Sequence, residues 1–328
     1  MKNKNIFAAL LAGMVVSTGC AQSSVNAADN QSASAEPSVV YMTTEITPDA
    51  IIRLYEALGR DADGKVAVKI STGEPGGHNF LDPNLIGDFV KQVNGTIVEC
   101  NTAYTGPRYN ADTHYKAAVD HGFTAIAPVD IMDAEGQVNL PVKDGKHLEY
   151  DIVGSHYPDY DFTVILSHFK GHQMGGFGGA IKNMSIGIAS SDGKAYIHSA
   201  GNYDKAEGIW NNTAQQDDFL ESMAEAAKAI ADHAGDKILY ISVANNLSVD
   251  CDCNGHPEAP QMADIGIFAS LDPVALDKAC TDYVRNSSDP GKVHLIERID
   301  SRHGMHTLDY AEQIGLGSQN YVIVSLDK

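Results

Sequence analysis

The chain has 328 residues, of which 43 are acidic and 23 basic, for a formal net charge of −20. A surface so poor in cations excludes nucleic acid as an expected partner, since binding a phosphate backbone needs clustered Lys and Arg; the acidity itself serves solubility. Hydrophobic residues make up 43% of the chain, ample for the core of one large globular domain.

The N-terminus reads as an export signal. Lys2 and Lys4 precede an apolar run over residues 6–16, and Ser17-Thr18-Gly19-Cys20 follows directly. We expect residues 1–19 to be a signal peptide and Cys20 a lipidation site; ordinary cleavage after Ala27 is the alternative. The expected product is exported and anchored on the periplasmic or cell-surface side of a bacterial membrane. No other apolar run nears the ~20 residues of a membrane helix, so membrane contact is expected through the lipid anchor only. Without Lys2 and Lys4 the mature charge is 21 basic minus 43 acidic residues, or −22. Residues 20–45, rich in Ser, Ala, Asn and Gln, read as a disordered tether, and residues 46–328 as a single α/β domain.

Helix starts are marked by a capping residue followed by Pro: Thr47-Pro48, Asp82-Pro83 and Asp272-Pro273. These helices are expected to end near Gly59, Val93 and Val284. A fourth, alanine-rich helix covers 217–233 and a fifth 180–188. Strands are expected at 65–70, 96–99, 124–127, 148–153, 162–166, 238–243, 265–269 and 321–325. Short continuous β-branched runs alternating with helices imply an α/β fold, a layered sandwich with a largely parallel central sheet. Residues 136–150, with a turn at Asp144-Gly145, form a small antiparallel excursion.

Sites in such sheets lie beyond the carboxyl ends of the strands. Three polar stretches fall there, at residues 71–79, 167–179 and 244–256. In the second, His168, Lys170 and His172 alternate, so an extended backbone projects all three to one side. Gly175, Gly176, Gly178 and Gly179 then lead into a helix bearing Lys182 and Asn183. A glycine turn at a helix start suits an anion or a metal-bound ligand. The third stretch contains Asp250-Cys251-Asp252-Cys253-Asn254-Gly255-His256. Two thiolates beside an imidazole are ligands for a transition metal; disulfides to Cys100 and Cys280 are the alternative, because Cys251 and Cys253 stand too close in sequence to pair comfortably with each other. His198, His303 and His306 lie in polar, loop-like contexts. No nucleophile elbow, phosphate-binding loop or dinucleotide fingerprint is present.

The run SHFKGHQMGGFGGAIKNMSIGIASSDGKAYIHS resembles the central motif of the uncharacterised iron–sulfur centre proteins, domain of unknown function 362. VAVKISTGEPG, DCDCNGH, DIGIFASLDPVALDKACTDYV and YAEQIGLGS resemble the same family, from about Val66 to the C-terminus. Many relatives carry a ferredoxin-like cysteine insert soon after the His-Ser that ends the motif. Here His198-Ser199 is followed by AGNYDKAEGIWNNTAQQDDF, without cysteine. The resemblance implies a metal or iron–sulfur cofactor, for which Cys251 and Cys253 are the leading thiols and Cys280 a third candidate.

The expected site assigns metal ligation to His168, His172, Cys251 and Cys253. Catalysis falls to Lys170, Lys182 and His198. Cofactor or anion binding falls to Gly175, Gly176, Gly178, Gly179 and Asn183. The expected function is an exported metal-binding protein, a redox enzyme acting on an anionic small molecule; the alternative is a non-catalytic ligand-binding lipoprotein with structural thiols.

Overall fold

The computed structural model describes residues 36–327; the expected signal peptide and the expected lipidation at Cys20 lie outside the described residues. In chain order the elements are β1 (Ser38–Thr43), α1 (Pro48–Leu58), β2 (Val66–Lys69), α2 (Pro83–Gln92), β3 (Gly95–Glu99), α3 (Ala111–Asp120), β4 (Val129–Ile131), β5 (Gln137–Pro141) and β6 (Tyr150–Gly154). Then come β7 (Phe162–His168), β8 (Lys170–His172), β9 (Gly176–Gly178), α4 (Ala180–Ile188), α5 (Ser191–His198), α6 (Gln216–Ala234) and β10 (Ile238–Ala244). The chain closes with β11 (Gly266–Ser270), α7 (Pro273–Asn286), α8 (Lys292–Ser301), α9 (His306–Gln313) and β12 (Tyr321–Ser325).

Eight strands form one sheet in the order β12-β1-β11-β10-β7-β2-β3-β4, in which β11 alone runs against the others. The alternation of side chains explains the layers. Val66, Val68, Val164, Leu166, Leu239 and Ile241 point to one face, where α1, α2 and α3 pack. Ala67, Ile165, Tyr240 and Phe268 point to the other, under α4 and α6 to α9. Strands covered on both faces need no polar alternation, which is why they read as continuous apolar runs. The helix punctuation acts as expected: Thr47, Asp82 and Asp272 each accept a backbone amide of the following turn, and Gly59 closes α1 with φ 61°. The excursion is the antiparallel pair β5 and β6.

Two expectations fail. Residues 38–43, placed in the tether, form β1 between β11 and β12, so the folded domain begins before residue 46. Residues 124–127 do not form a strand. A 3-10 turn spans Phe123–Ala125, only Phe123 is buried there, and the edge strand begins after Pro128. The run is only partly buried, with Ile126 and Ala127 packed against the core from a turn, so strand pairing gains it little.

Candidate functional site

The sheet's carboxyl edge gathers the three polar loops. Glu74 N–H donates to Asp252 O at 2.8 Å, and Gly171 N–H to Ser248 O at 2.9 Å. Lys170 Nζ donates to Asn79 O at 3.1 Å and forms an ion pair with Asp252. Convergence of these segments follows from four parallel strands, β10, β7, β2 and β3, ending side by side.

Between the loops, α4 and α5 lies a cleft of about 320 Å³. Its lining carries the cations Lys69, Arg108, Lys182 and Lys194 against one carboxylate, Glu99. Lys69 and Glu99 end β2 and β3 and pair at 2.8 Å while almost fully buried. Burial opposes the charge on Glu99, but Lys69, His114 and Arg108 hold it down to about 2. Arg108 Nε is bound to Glu74 Oε2 at 2.7 Å. Lys194 Nζ donates to Ala189 O at 2.5 Å. Lys182 differs: among the described residues no hydrogen bond or salt bridge engages its ammonium. Burial first, then Lys69 and Arg108, lower its pKa to about 8.

The two imidazoles of the cleft hold opposite tautomers. His172 Nδ1 accepts from Gly175 N–H at 2.8 Å and Met174 N–H at 3.3 Å, so the ring hydrogen sits on Nε2. His198 Nδ1 donates to Lys194 O at 2.6 Å, which leaves the lone pair on Nε2. Burial pushes His172 well below the ordinary range and His198 down to about 4, so both rings are neutral at physiological pH. His198 is not in a loop, as its context suggested, but ends α5 and stacks on Phe219.

Cys251 and Cys253 are joined as a disulfide, with their Cα atoms 5.3 Å apart, while Cys100 and Cys280 are free and buried. A fully extended loop would hold two such Cα atoms about 7 Å apart. A turn closed by Asn254 N–H on Cys251 O shortens the span, so the expectation that these two stand too close to pair comfortably is corrected. Cys253 lines the cleft, and Asp252 faces inward to Lys170 and His168. Burial disfavours the Asp252 charge, yet those two partners hold it down to about 2.

His172, Cys251 and Cys253 place ligand-type atoms within 4.8 Å of one another. As found, the set does not fit a bound ion. The sulfurs bond each other, and the His172 lone pair is taken by two amides. His168 stands apart from the group. Its ring nitrogens face Asn245 O at 2.7 Å and Asp252 Oδ2 at 3.2 Å, both acceptors, which leaves no lone pair for a metal.

The glycine turn does something other than expected. Gly176 and Gly178 lie in β9, hydrogen-bonded to β8, and Gly176 has φ 80° where the turn at Gly304 packs against it. The first amides of α4 are already satisfied by the chain's own Asp277: Ala180 N–H at 2.7 Å and Ile181 N–H at 3.0 Å. A Cβ on Gly179 would come within 2.3 Å of that carboxylate. Gly176 and Gly179 therefore make room for packing, whereas a side chain at Gly178 would meet open space, and the first amides of the helix are already taken. Asn183 is likewise engaged, its amide donating to Lys69 O, Leu166 O and Ser167 Oγ and so tying α4 to β2 and β7.

The sequence reading missed Lys69, Glu99, Arg108, Lys194 and the half-exposed Trp210 at the cleft mouth. A signal existed for the first two: a charge at the last position of an otherwise apolar parallel strand points beyond the sheet's carboxyl edge.

A family model described as "Domain of unknown function (DUF362)" matches residues 66–282. No curated protein matches the chain. Among solved structures, the lactate racemase apoprotein from Thermoanaerobacterium thermosaccharolyticum is 15% identical with a TM-score of 0.39, over 62% of this chain and 50% of that one. A Thermotoga maritima protein is 14% identical with a TM-score of 0.41, over 73% of this chain and 58% of that one. The chain thus spans between half and three-fifths of the length of these two structures.

Proposed function

The chain belongs to the family described as Domain of unknown function (DUF362), and from that premise, which assigns no activity, we propose that it is a redox enzyme acting on a small anionic thiol. The observation that carries this reading is that Lys182 and Cys253 line the same cleft, the lysine without a counter-ion among the described residues. An unpaired ammonium in a low-dielectric cleft attracts an anion far more strongly than one in water. His172 offers an Nε2–H donor beside it and His198 an Nε2 acceptor. Export, supported by the pattern of residues 2–20, would put the cysteine pair in an oxidising compartment.

The chemistry is thiol–disulfide exchange. A substrate thiolate held by Lys182 attacks Cys253 Sγ, the more accessible sulfur; the Cys251–Cys253 bond breaks and Cys251 leaves as thiolate. A second substrate thiolate attacks the mixed disulfide, releasing the substrate disulfide and leaving both cysteines reduced. Two electrons pass from two substrate thiols to the protein, and the two protons go to Cys251 and Cys253 or to solvent.

Trp210 is the single tryptophan of the chain, so its emission reports events at the cleft mouth. Mixing the oxidised protein with mercaptoacetate and with uncharged mercaptoethanol, and alkylating the released thiols for mass analysis, tests the reading. Mercaptoacetate is expected to react about tenfold faster per thiolate, an advantage lost in Lys182→Gln. Equal rates for the two thiols, with no change of emission, rule the reading out.

A second reading rests on the proximity of His172, Cys251 and Cys253. Reduction would free two thiolates for a soft or borderline transition metal. Elemental analysis of protein reduced under anaerobic conditions, against the oxidised form, tests it: equal and negligible metal in both dismisses it.

A further inference from the structure

We propose that a second site, apart from the cysteine pair, binds a divalent transition cation of the zinc type through His303, His306 and Asp217. Ligand-type atoms of these three residues lie within 4.8 Å of one another. The turn between α8 and α9 builds it. His303 adopts φ 52°, and His306 N–H closes on His303 O, so the two rings stack with centroids 5.1 Å apart.

The hydrogen bonds decide which nitrogens are available. His303 Nδ1 meets Asp217 Oδ1 at 2.6 Å, and His306 Nε2 meets Glu221 Oε1 at 3.0 Å. A carboxylate only accepts, so without metal these ring nitrogens carry the hydrogens; a cation takes the place of the hydrogen between His303 Nδ1 and Asp217 Oδ1, leaving that ring's hydrogen on Nε2, while His306 Nδ1 already carries a lone pair. The Glu221 carboxylate behind His306 is the arrangement that orients a ligating histidine and raises its basicity. Asp217 is then the third donor, its Oδ1 already 2.6 Å from His303 Nδ1. Two stacked imidazoles beside Asp217, Asp218 and Glu221, in a chain of net charge −20, favour a compact dication. The adjacent group of His147, Asp218 and Glu221 is a poorer site, because Lys146 pairs with Glu221 there and would repel a cation.

The site also has mechanical reach. Gln216, at the start of α6, donates both to Met174 O and to Arg302 O, at 2.8 Å each, so α6, the histidine turn and the hairpin that bears His172 are already linked. A cation bridging Asp217 to His303 and His306 would fasten the same junction.

Calorimetric titration of zinc chloride into the oxidised protein, whose cysteine pair is held as the disulfide, isolates this site from that pair. One equivalent is expected to bind with micromolar affinity. His303→Ala/His306→Ala should weaken binding by ~100-fold or more, and His147→Ala should leave it within about threefold. His303→Ala alone, at a solvent-exposed position, serves if the double variant unfolds, and metal-free melting curves establish folding for each. Absence of a micromolar site in the parent protein, or unchanged affinity in the folded histidine variants, overturns the proposal.

Discussion

Helix α4 presents two places where an anion could sit, less than one turn apart. At its first amides the anion is the chain's own Asp277, brought from α7 and made possible by the missing side chain of Gly179. At Lys182 the ammonium faces the cleft with no carboxylate of the chain against it among the described residues. The same attraction between positive partial or full charge and an anion operates at both. One is spent on holding the fold together, the other is left for a ligand. A glycine-rich helix start is therefore an anion site only after the protein's own carboxylates have been placed.

The comparison can be broken most sharply at the floor of the cleft. Glu99→Gln strips the partner from Lys69, which is 1% exposed, and should cost about 3–5 kcal/mol by urea unfolding. A loss under about 1 kcal/mol would mean that the cleft's charges are solvated and its field weak. Next, Asp277→Ala leaves two buried amides unpartnered and should cost about 2 kcal/mol without changing the affinity for mercaptoacetate. Lys182→Gln should do the reverse, leaving stability within about 0.5 kcal/mol while weakening the anion roughly tenfold, about 1.4 kcal/mol, by Trp210 emission. If Asp277→Ala also abolished anion binding, the two places would be one site.

The smallest effect is a slope. Burial raises Asp277 from 3.8 to about 7, against the pull of the two amides. The folded state then holds a proton that the unfolded chain has released, so this group lowers stability as pH rises from about 4 to about 7. Buried Asp151, raised to about 8, acts in the same direction. Glu99 and Asp252, both held down to about 2, act oppositely: their contribution is present above about pH 4 and is lost as the pH falls toward 2. Asp277→Asn should flatten the fall in melting temperature between pH 4 and 7, a change read by thermal unfolding across that range. An unaltered profile would place the Asp277 titration outside this window.

The features legible along the chain are local or periodic. The pairing of a cap with Pro fixed where α1, α2 and α7 start, because both act within one turn. Short apolar runs marked most strands, and their alternation with helices gave a mostly parallel sheet with polar loops at one edge. The meeting of residues 71–79, 167–179 and 244–256 was legible for that reason. Where no such signal existed, α3, α5, α8 and α9 passed unread: their apolar faces are narrow and set by what packs on them. Which charges are spent depends on contacts made in the folded molecule. Whether Lys170 is a catalyst or the counter-ion of Asp252, and whether His172 Nδ1 can hold a metal or is filled by two amides, depends on partners distant in sequence or on the turn of a backbone. Charge compensation and proton placement act through space over a few ångströms, and no periodicity along the chain records them.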